Sequence, residues 1–293
     1  MPNLKEVRTR ITSVSSTKQI TSAMKMVSAS KFRKAQTAIV KLRPYANKLK
    51  EIMQNVSAGE NDAVESPYSQ VRTPEKVLLV VVASNKGLCG AFNANVIKKT
   101  IILINEKYSA QHKKGDLKLL TIGKKASEYF TKRNFPSIGI FDSVYENLNF
   151  ENASKIADMI MAKFANKEFD CVEVIYNQYK NAATQVLSSE QFLPLSTIVT
   201  DTPVKQNADY IYEPDKQVIL QELIPKSLKI QLFKVLLDSF ASEHGARMTA
   251  MHKATDNADD LLRELKLTYN KARQASITKE ILEIVSGAEA LKG

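Results

Sequence analysis

Apolar residues near the N-terminus recur with the spacing of a helix that packs against another helix. The first four are separated by three, four and three residues, which is the repeat of a coiled-coil seam: Leu4, Val7, Ile11 and Val14. Neither glycine nor proline occurs between Pro2 and Pro44. Because glycine and proline cost about 1 and 3 kcal/mol in a helix interior, the pattern predicts a long N-terminal helix, residues 1–57, that is kinked or restarted at Pro44.

The C-terminal end shows a second stretch of this kind. After Pro225 the chain contains no further proline. Near the end, apolar residues recur at spacings of four, three, four and three: Ile277, Ile281, Ile284, Ala288 and Leu291. We therefore predict a C-terminal helix over residues 217–293. It pairs with the N-terminal helix in a long antiparallel two-helix coiled coil.

The residues between the two helices follow a different pattern, in which apolar runs alternate with helical segments. The runs lie at 77–83, 117–123, 137–141, 171–179 and 184–195. Strands that are apolar on both faces are typical of a mostly parallel sheet covered by helices on both sides. The predicted fold is α/β plus coiled coil. A Rossmann-like α/β domain (76–196) is inserted between the helices through a linker (58–75) and a return segment (197–216).

The register of the coiled coil can be estimated because facing residues of an antiparallel pair have a constant sum of numbers. The N-terminal seam is expected to shift after Val14 to three other positions: Ile20, Met24 and Val27. If Met24 and Met26 face Met248 and Met251, the sum is about 274. Residues 271–291, called the tip below, then have no partner helix and extend about 30 Å beyond the N-terminus, at 1.5 Å per residue.

The tip carries the cleanest apolar stripe of the C-terminal helix, the five residues from Ile277 to Leu291 given above. A single helix that exposes such a stripe to water is an aggregation liability. We therefore expect another protein to supply a sleeve that covers the tip.

Charge is concentrated on the first helix. The net charge is +11, and residues 1–56 alone contain 12 Lys and Arg against two acidic residues, Glu6 and Glu51. A basic helix suits nucleic acid, an anionic membrane surface or an acidic protein partner. The apolar runs are far shorter than the roughly 20 residues that span a bilayer, and no signal-peptide core follows Met1. Cys89 and Cys171 are expected to be reduced and buried.

Residues 84–90, Ser-Asn-Lys-Gly-Leu-Cys-Gly, follow the first predicted strand, where α/β folds bind phosphates. Gly87 and Gly90 match neither common phosphate-binding motif. We interpret the segment as a structural turn, with a nucleotide site as the alternative. The three histidines lack metal-ligand spacing, and we predict no catalytic, cofactor-binding or metal-binding residue.

Three segments resemble the gamma subunit of the F-type ATP synthase. Residues 8–36 resemble the opening helix of that family, residues 84–93 its glycine turn, and residues 269–291 its C-terminal signature. The last segment keeps Ile277, Thr278, Glu280 and the pair Gly287-Ala288 in place. In the turn, Asn85 and Lys86 stand where the family usually has an acidic residue and often arginine.

The resemblance implies a rotor shaft without a catalytic site or cofactor of its own. Its coiled coil would stand inside a ring of α and β subunits, and its α/β domain would meet the epsilon subunit and the c-subunit ring. Six positions match family residues at the contact with the β subunit: Met24, Arg247, Arg273, Gln274, Thr278 and Glu280. The implied location is the cytoplasmic face of a bacterial membrane, with membrane association only through the complex.

Two alternatives remain at this point. A basic coiled coil that binds nucleic acid would explain the charge of the first helix, but the chain lacks the expected aromatic platforms. A nucleotide-binding Rossmann-type enzyme would explain the middle of the chain. The rotor shaft, which binds neither nucleic acid nor a small-molecule substrate directly, accounts for both features.

Overall fold

The computed structural model describes residues 4–57, 66–181, 184–195 and 216–290. Most of the predicted return segment, residues 58–65 of the predicted linker, and Leu291 lie outside these residues. The helices are α1 (Leu4–Ser57), α2 (Phe92–Glu106), α3 (Ser109–Lys114), α4 (Lys124–Thr131), α5 (Phe150–Ala165) and α6 (Lys216–Ala290), with a 3-10 turn at Ser143–Tyr145. The strands are β1 (Val77–Val82), β2 (Leu117–Ile122), β3 (Ser137–Ile140), β4 (Cys171–Tyr179) and β5 (Gln185–Leu193).

Two compact units make up the chain, and both long helices run through both units. Unit 1 consists of Met1–Ser28 with Arg247–Gly293, and unit 2 is Ala29–Ala246. Pro44 and Pro225 lie inside α1 and α6, so neither proline ends its helix. Of the two outcomes predicted for Pro44, a kink or a restart, the restart does not occur. The long terminal helices and the α/β segment between them confirm the predicted fold class.

The sheet of unit 2 has five strands in the order β3-β2-β1-β4-β5. Strands β1 to β4 pair in parallel, and β5 adds an antiparallel edge to β4. Because β1 is central, all six of its residues are buried. This explains why its sequence, Val-Leu-Leu-Val-Val-Val, is apolar without alternation.

Alternate residues of β1 face two separate cores. Leu78, Val80 and Val82 join the core formed with α5 and the start of α6, where Ile224, Leu228 and Leu232 are buried. The other three residues of β1 join the core formed with α2 and α4. Residues 224–236 of α6 therefore anchor the long C-terminal helix in the α/β layer.

The two long helices also pack against each other within unit 2. Ala35 and Ile39 of α1 form an apolar cluster with Leu237 and Ala241 of α6. Facing residues in this cluster have numbers that add to 276. The pairing is antiparallel, as predicted.

Candidate functional site

In unit 1, the seam between α1 and α6 is polar over residues 18–25. The hydroxyls of Thr21 and Thr255 lie 2.9 Å apart and share a hydrogen bond. Lys18 forms an ion pair with Asp259. One turn along α1, the Lys25 ammonium lies 3.2 Å from Nδ1 of His252, a ring nitrogen that also lies 3.4 Å from Asp256. These cross-helix contacts fix the register through polar groups rather than through close apolar packing.

The prediction of where the seam runs was wrong in this part of α1. The predicted seam residues Ile20, Met24 and Val27 are exposed instead. The seam continues its three-and-four spacing from Val14 through the polar residues 18, 21 and 25, because a coiled coil keeps its repeat even where the repeat places polar side chains.

The predicted register was close but shifted. The cross-helix contacts give sums of 276 for Thr21 with Thr255 and 277 for Lys18 with Asp259, compared with about 274 from the methionines. Met251 is buried, but Met26 is 66% exposed, so the methionines do not face each other as predicted.

Replacing both seam threonines by valine is expected to stabilise unit 1 by about 1 kcal/mol. Each hydroxyl is exchanged for a methyl group of similar size, at a buried position for Thr21 and a half-buried one for Thr255. Each single variant should change stability by less, since Thr21 and Thr255 can also bond the carbonyls of Lys18 and Met251. Thermal unfolding of the wild type, both single variants and the double variant measures the coupling energy between the two threonines. A double variant less stable than either single one would contradict it.

The outer face of α1 presents an apolar stripe to solvent. Ile20, Met24 and Val27 are spaced four and three residues apart, so they share one face of the helix, and they are 55%, 38% and 58% exposed. Singly exposed apolar residues are ordinary, but several on one helix face mark a surface that another molecule covers. This stripe contains Met24, one of the predicted contact residues.

The tip lies beyond any partner helix among the described residues. With the observed register, Leu4 at the start of α1 faces about residue 272. From Ile277 to Ala290 every residue of α6 is exposed, including four of the predicted sleeve-facing residues: Ile277, Ile281, Ile284 and Ala288. Leu282 and Val285, which were not predicted, widen this exposed apolar surface.

Polar residues border the apolar stripe of the tip. At about 100° per residue, Arg273 and Glu280 project along one edge of the stripe, and Gln274 and Thr278 along the other. All four are exposed. The Thr278 hydroxyl donates to the carbonyl of Gln274, and Glu280 accepts a weak hydrogen bond from Ser276. The arrangement can seat apolar side chains in a sleeve while the polar residues contact its rim.

Arg247 differs from the other predicted contact residues. It is only 9% exposed, and it has an interaction partner within the chain. The other five predicted contact residues are exposed.

The side chain of Asn85 holds the turn after β1 against two neighbouring loops of unit 2. Asn85 donates to the carbonyl of Asp142 (2.6 Å) and accepts from the backbone N–H of Lys124 (3.0 Å). A carboxylate could accept from Lys124 but could not donate to Asp142, so asparagine suits both contacts. In this strand order the crevice where such folds bind nucleotides lies between β1 and β4. Asn85 instead ties the turn to the segments that follow β2 and β3.

The turn itself is held by an internal network. Asn93, at the start of α2, accepts from the Ser84 backbone N–H (3.0 Å), and its amide lies 3.2 Å from the Cys89 sulfur. Gly90 has φ of +60°, a conformation that favours glycine, whereas Gly87 shows no positive φ and a Cβ there would meet no atom within 4 Å. Gly123, which no sequence motif indicated, follows β2 with a φ of +102°, and a Cβ there would clash with the carbonyl group of Ala83.

Cys89 and Cys171 are both buried, as expected, and neither belongs to a disulfide among the described residues. Burial raises the pKa of Cys171, with a further rise from the nearby carboxylate of Glu173. In the described parts of the chain, no cluster of three or more potential ligand side chains could hold a metal ion. None of the described helices combines the length and hydropathy needed to cross a membrane.

Comparison with known proteins points to one family. A family model described as ATP synthase matches residues 3–291. ATP synthase gamma chains of Flavobacterium psychrophilum and Flavobacterium johnsoniae are 57% and 56% identical, and each alignment covers 100% of both chains. The gamma chain of Chlorobium limicola is 44% identical over the same coverage.

Solved structures give the same picture. A chain of the central stalk and c-ring structure of the Tetrahymena thermophila mitochondrial ATP synthase is 28% identical, with a TM-score of 0.59, and the match covers 80% of this chain and 99% of that one. A chain of the Euglena gracilis mitochondrial ATP synthase rotor has a TM-score of 0.66 over 94% and 98%. At 20% identity, this second likeness concerns the fold alone.

Proposed function

The chain belongs to the gamma chains of the F-type ATP synthase, non-catalytic subunits of the central stalk, and from that premise we propose that it is a rotor shaft. In this proposal, the shaft couples rotation of a membrane c ring to conformational cycling of the catalytic β subunits. Neither alternative, nucleic-acid binding or a Rossmann-type enzyme, is needed to explain the chain.

The proposal assigns a partner to each exposed surface. The tip sits in a sleeve formed by the α and β subunits, and the stripe on α1 containing Met24 contacts β subunits. The α/β layer of unit 2 meets the epsilon subunit and the c ring. The proposed location is the cytoplasmic face of a bacterial membrane, reached through the complex.

The observation that carries the proposal is the exposed apolar surface of the tip. Ile284 is 71% exposed and Ile281 is 55% exposed. Burying one such side chain contributes about 1.5–3 kcal/mol, so a sleeve that covers the tip gains several kcal/mol. A basic first helix, on which Arg8 and Arg10 are exposed, complements acidic partner loops.

Coupling requires contacts that differ between rotor angles. A ligand or lever with equal affinity for all states of a β subunit shifts none of them. The outer faces of α1 and α6 differ within unit 1. Where α1 carries the apolar stripe, the facing turns of α6 carry the exposed acidic side chains of Asp256 and Asp260. Each β subunit would therefore meet a different surface at each angle.

Ile284→Asp tests the seating of the tip. A charge placed in an apolar sleeve costs more than the lost burial, so we expect retention of the chain by α and β subunits to weaken at least tenfold, about 1.4 kcal/mol. The matched control is Ser286→Asp, which adds the same charge about 200° away around the helix. Co-purification with tagged β subunit measures both variants.

Unchanged retention of Ile284→Asp would contradict a seated tip. Equal loss in both variants would contradict it as well, because the sleeve would then respond to charge and not to the apolar stripe. Circular dichroism of each variant confirms that α6 remains helical.

A further inference from the structure

A cavity of about 240 Å³ lies in unit 2 where α1, β4 and α6 meet. Its lining includes two cationic side chains, one carboxyl group and three further polar side chains: Arg43, Lys234, Asp238, Asn47, Gln178 and Tyr179. Asp238 is 2% exposed, whereas Arg43 and Asn47 are exposed at the surface and Lys234 is half-buried. The cavity therefore has a buried carboxyl group and a donor-rich, positively charged entrance.

One oxygen of the buried carboxyl group lacks a hydrogen-bond partner within the described part of the chain. Among the described residues, Oδ1 of Asp238 is buried without a hydrogen-bond partner. Such an unpaired buried group costs about 1–3 kcal/mol. The broad terminal torsion of an aspartate lets either oxygen turn toward the cavity.

We propose that this cavity binds a small oxyanion that carries a proton, with inorganic phosphate as the ligand. Arg43 and Lys234 supply charged donors to the unprotonated phosphate oxygens, and the Asn47 and Gln178 amides can add further donors. The P–OH group donates to the Asp238 oxygen that faces the cavity. The proposed site does not depend on which partners the rotor contacts.

The carboxyl group makes the site selective between tetrahedral anions. Sulfate carries no proton near neutral pH, so an ionised Asp238 would meet only acceptor oxygens and would repel it. Sulfate can therefore bind only when Asp238 itself is protonated and donates. Phosphate can bind in either state, because its P–OH donates when Asp238 is ionised and its bare oxygens accept when Asp238 is protonated.

The groups that face Asp238 come from four elements. Burial raises the pKa of Asp238 to about 6, Lys234 of α6 and Arg43 of α1 lower it, and Glu190 of β5 raises it. Glu190 accepts a hydrogen bond of 2.7 Å from the Tyr176 hydroxyl of β4. Sulfate binding should accordingly weaken about tenfold for each pH unit above about 6, with one proton taken up per anion.

Equilibrium dialysis of the full chain with radiolabelled phosphate or sulfate, at fixed ionic strength and at about pH 5 and about pH 7.5, tests the site. Phosphate is expected to bind at both pH values and sulfate only at the lower one. Arg43→Gln should weaken phosphate binding at least tenfold. Lys41→Gln, which removes an exposed charge of α1 outside the cavity, should leave it unchanged.

Asp238→Asn is the most discriminating variant, because the asparagine amide can donate a hydrogen bond to the anion at every pH. This variant should bind sulfate equally at both pH values and lose the preference for phosphate. No phosphate binding by the wild type, equal sulfate binding by the wild type at both pH values, or wild-type affinity in Arg43→Gln would each overturn the proposal. Arg43 is exposed, so its substitution is expected to leave the fold intact and keeps the test valid.

Discussion

Gly123→Ala is expected to lower the free energy of unfolding of unit 2 by about 3 kcal/mol or more. Gly123 follows β2 and has φ of +102°, a conformation that costs a residue with a side chain about 1–3 kcal/mol. A Cβ at this position would also lie 2.2 Å from the carbonyl oxygen of Ala83. Since that oxygen belongs to the backbone after the central strand, the clash can be relieved only by moving β1 against β2, at a similar cost.

Gly87→Ala is the matched control for this prediction. Gly87 lies in the turn after β1, shows no positive φ and has open space around it, so the change in stability should stay within about 0.5 kcal/mol. Urea unfolding followed by circular dichroism compares both variants with the wild type. A Gly123→Ala variant as stable as Gly87→Ala would show that the approach of Ala83 is not a constraint.

The second large effect concerns pH and Asp238. Burial raises the pKa of Asp238 to about 6 from 3.8. A carboxyl group whose pKa is higher in the folded state contributes stability that is fully present below the unfolded-state pKa. That contribution is lost as pH rises through the folded-state pKa. The difference between the two pKa values, at about 1.36 kcal/mol per pKa unit, lowers the free energy of unfolding by about 3 kcal/mol between about pH 4 and about pH 6.

Asp238→Asn should remove this loss. The free energy of unfolding of the variant, relative to that of the wild type, should therefore be up to about 3 kcal/mol greater at about pH 7.5 than at about pH 4. Thermal unfolding in a buffer free of phosphate and sulfate, at both pH values, measures the gain. Asp260→Asn makes the same change at an exposed position of α6, where its ion pair with Arg263 contributes little. A pH profile shared by wild type and Asp238→Asn would contradict the prediction.

The sheet was largely predictable because its signal is local. A strand buried on both faces must be apolar throughout, and β1 shows this directly in six consecutive residues. The long helices were equally predictable, because glycine and proline, which destabilise a helix interior, are scarce in both terminal stretches. The structure places β4 at Cys171–Tyr179, as predicted, and gives β5 the antiparallel orientation that no local pattern encodes.

The seam of the coiled coil was harder to predict because apolar residues follow two competing faces of α1. Ile20, Met24 and Val27 were taken for the interior, but the repeat that begins at Leu4 places polar residues there. The sequence pattern records that these three positions are apolar but does not say which molecule covers them. When a partner in another chain buries a helix face, periodicity alone assigns that face to the wrong interior.

Gly123 and Asp238 were missed for a different reason. The need for glycine at position 123 comes from the backbone of Ala83, far away in the chain. The environment of Asp238 arises where α1, β4 and α6 meet. In both cases the constraint is a tertiary contact that leaves no motif in the sequence.

The rotor proposal is tested most directly by watching the chain turn. Cys89 and Cys171 are buried, so a single cysteine introduced at the exposed Lys132 in the complex with α and β subunits can carry a bead. With the ring fixed to a surface and ATP supplied, the bead is expected to rotate in one direction. Steady ATP hydrolysis accompanied only by random motion of the bead would contradict it.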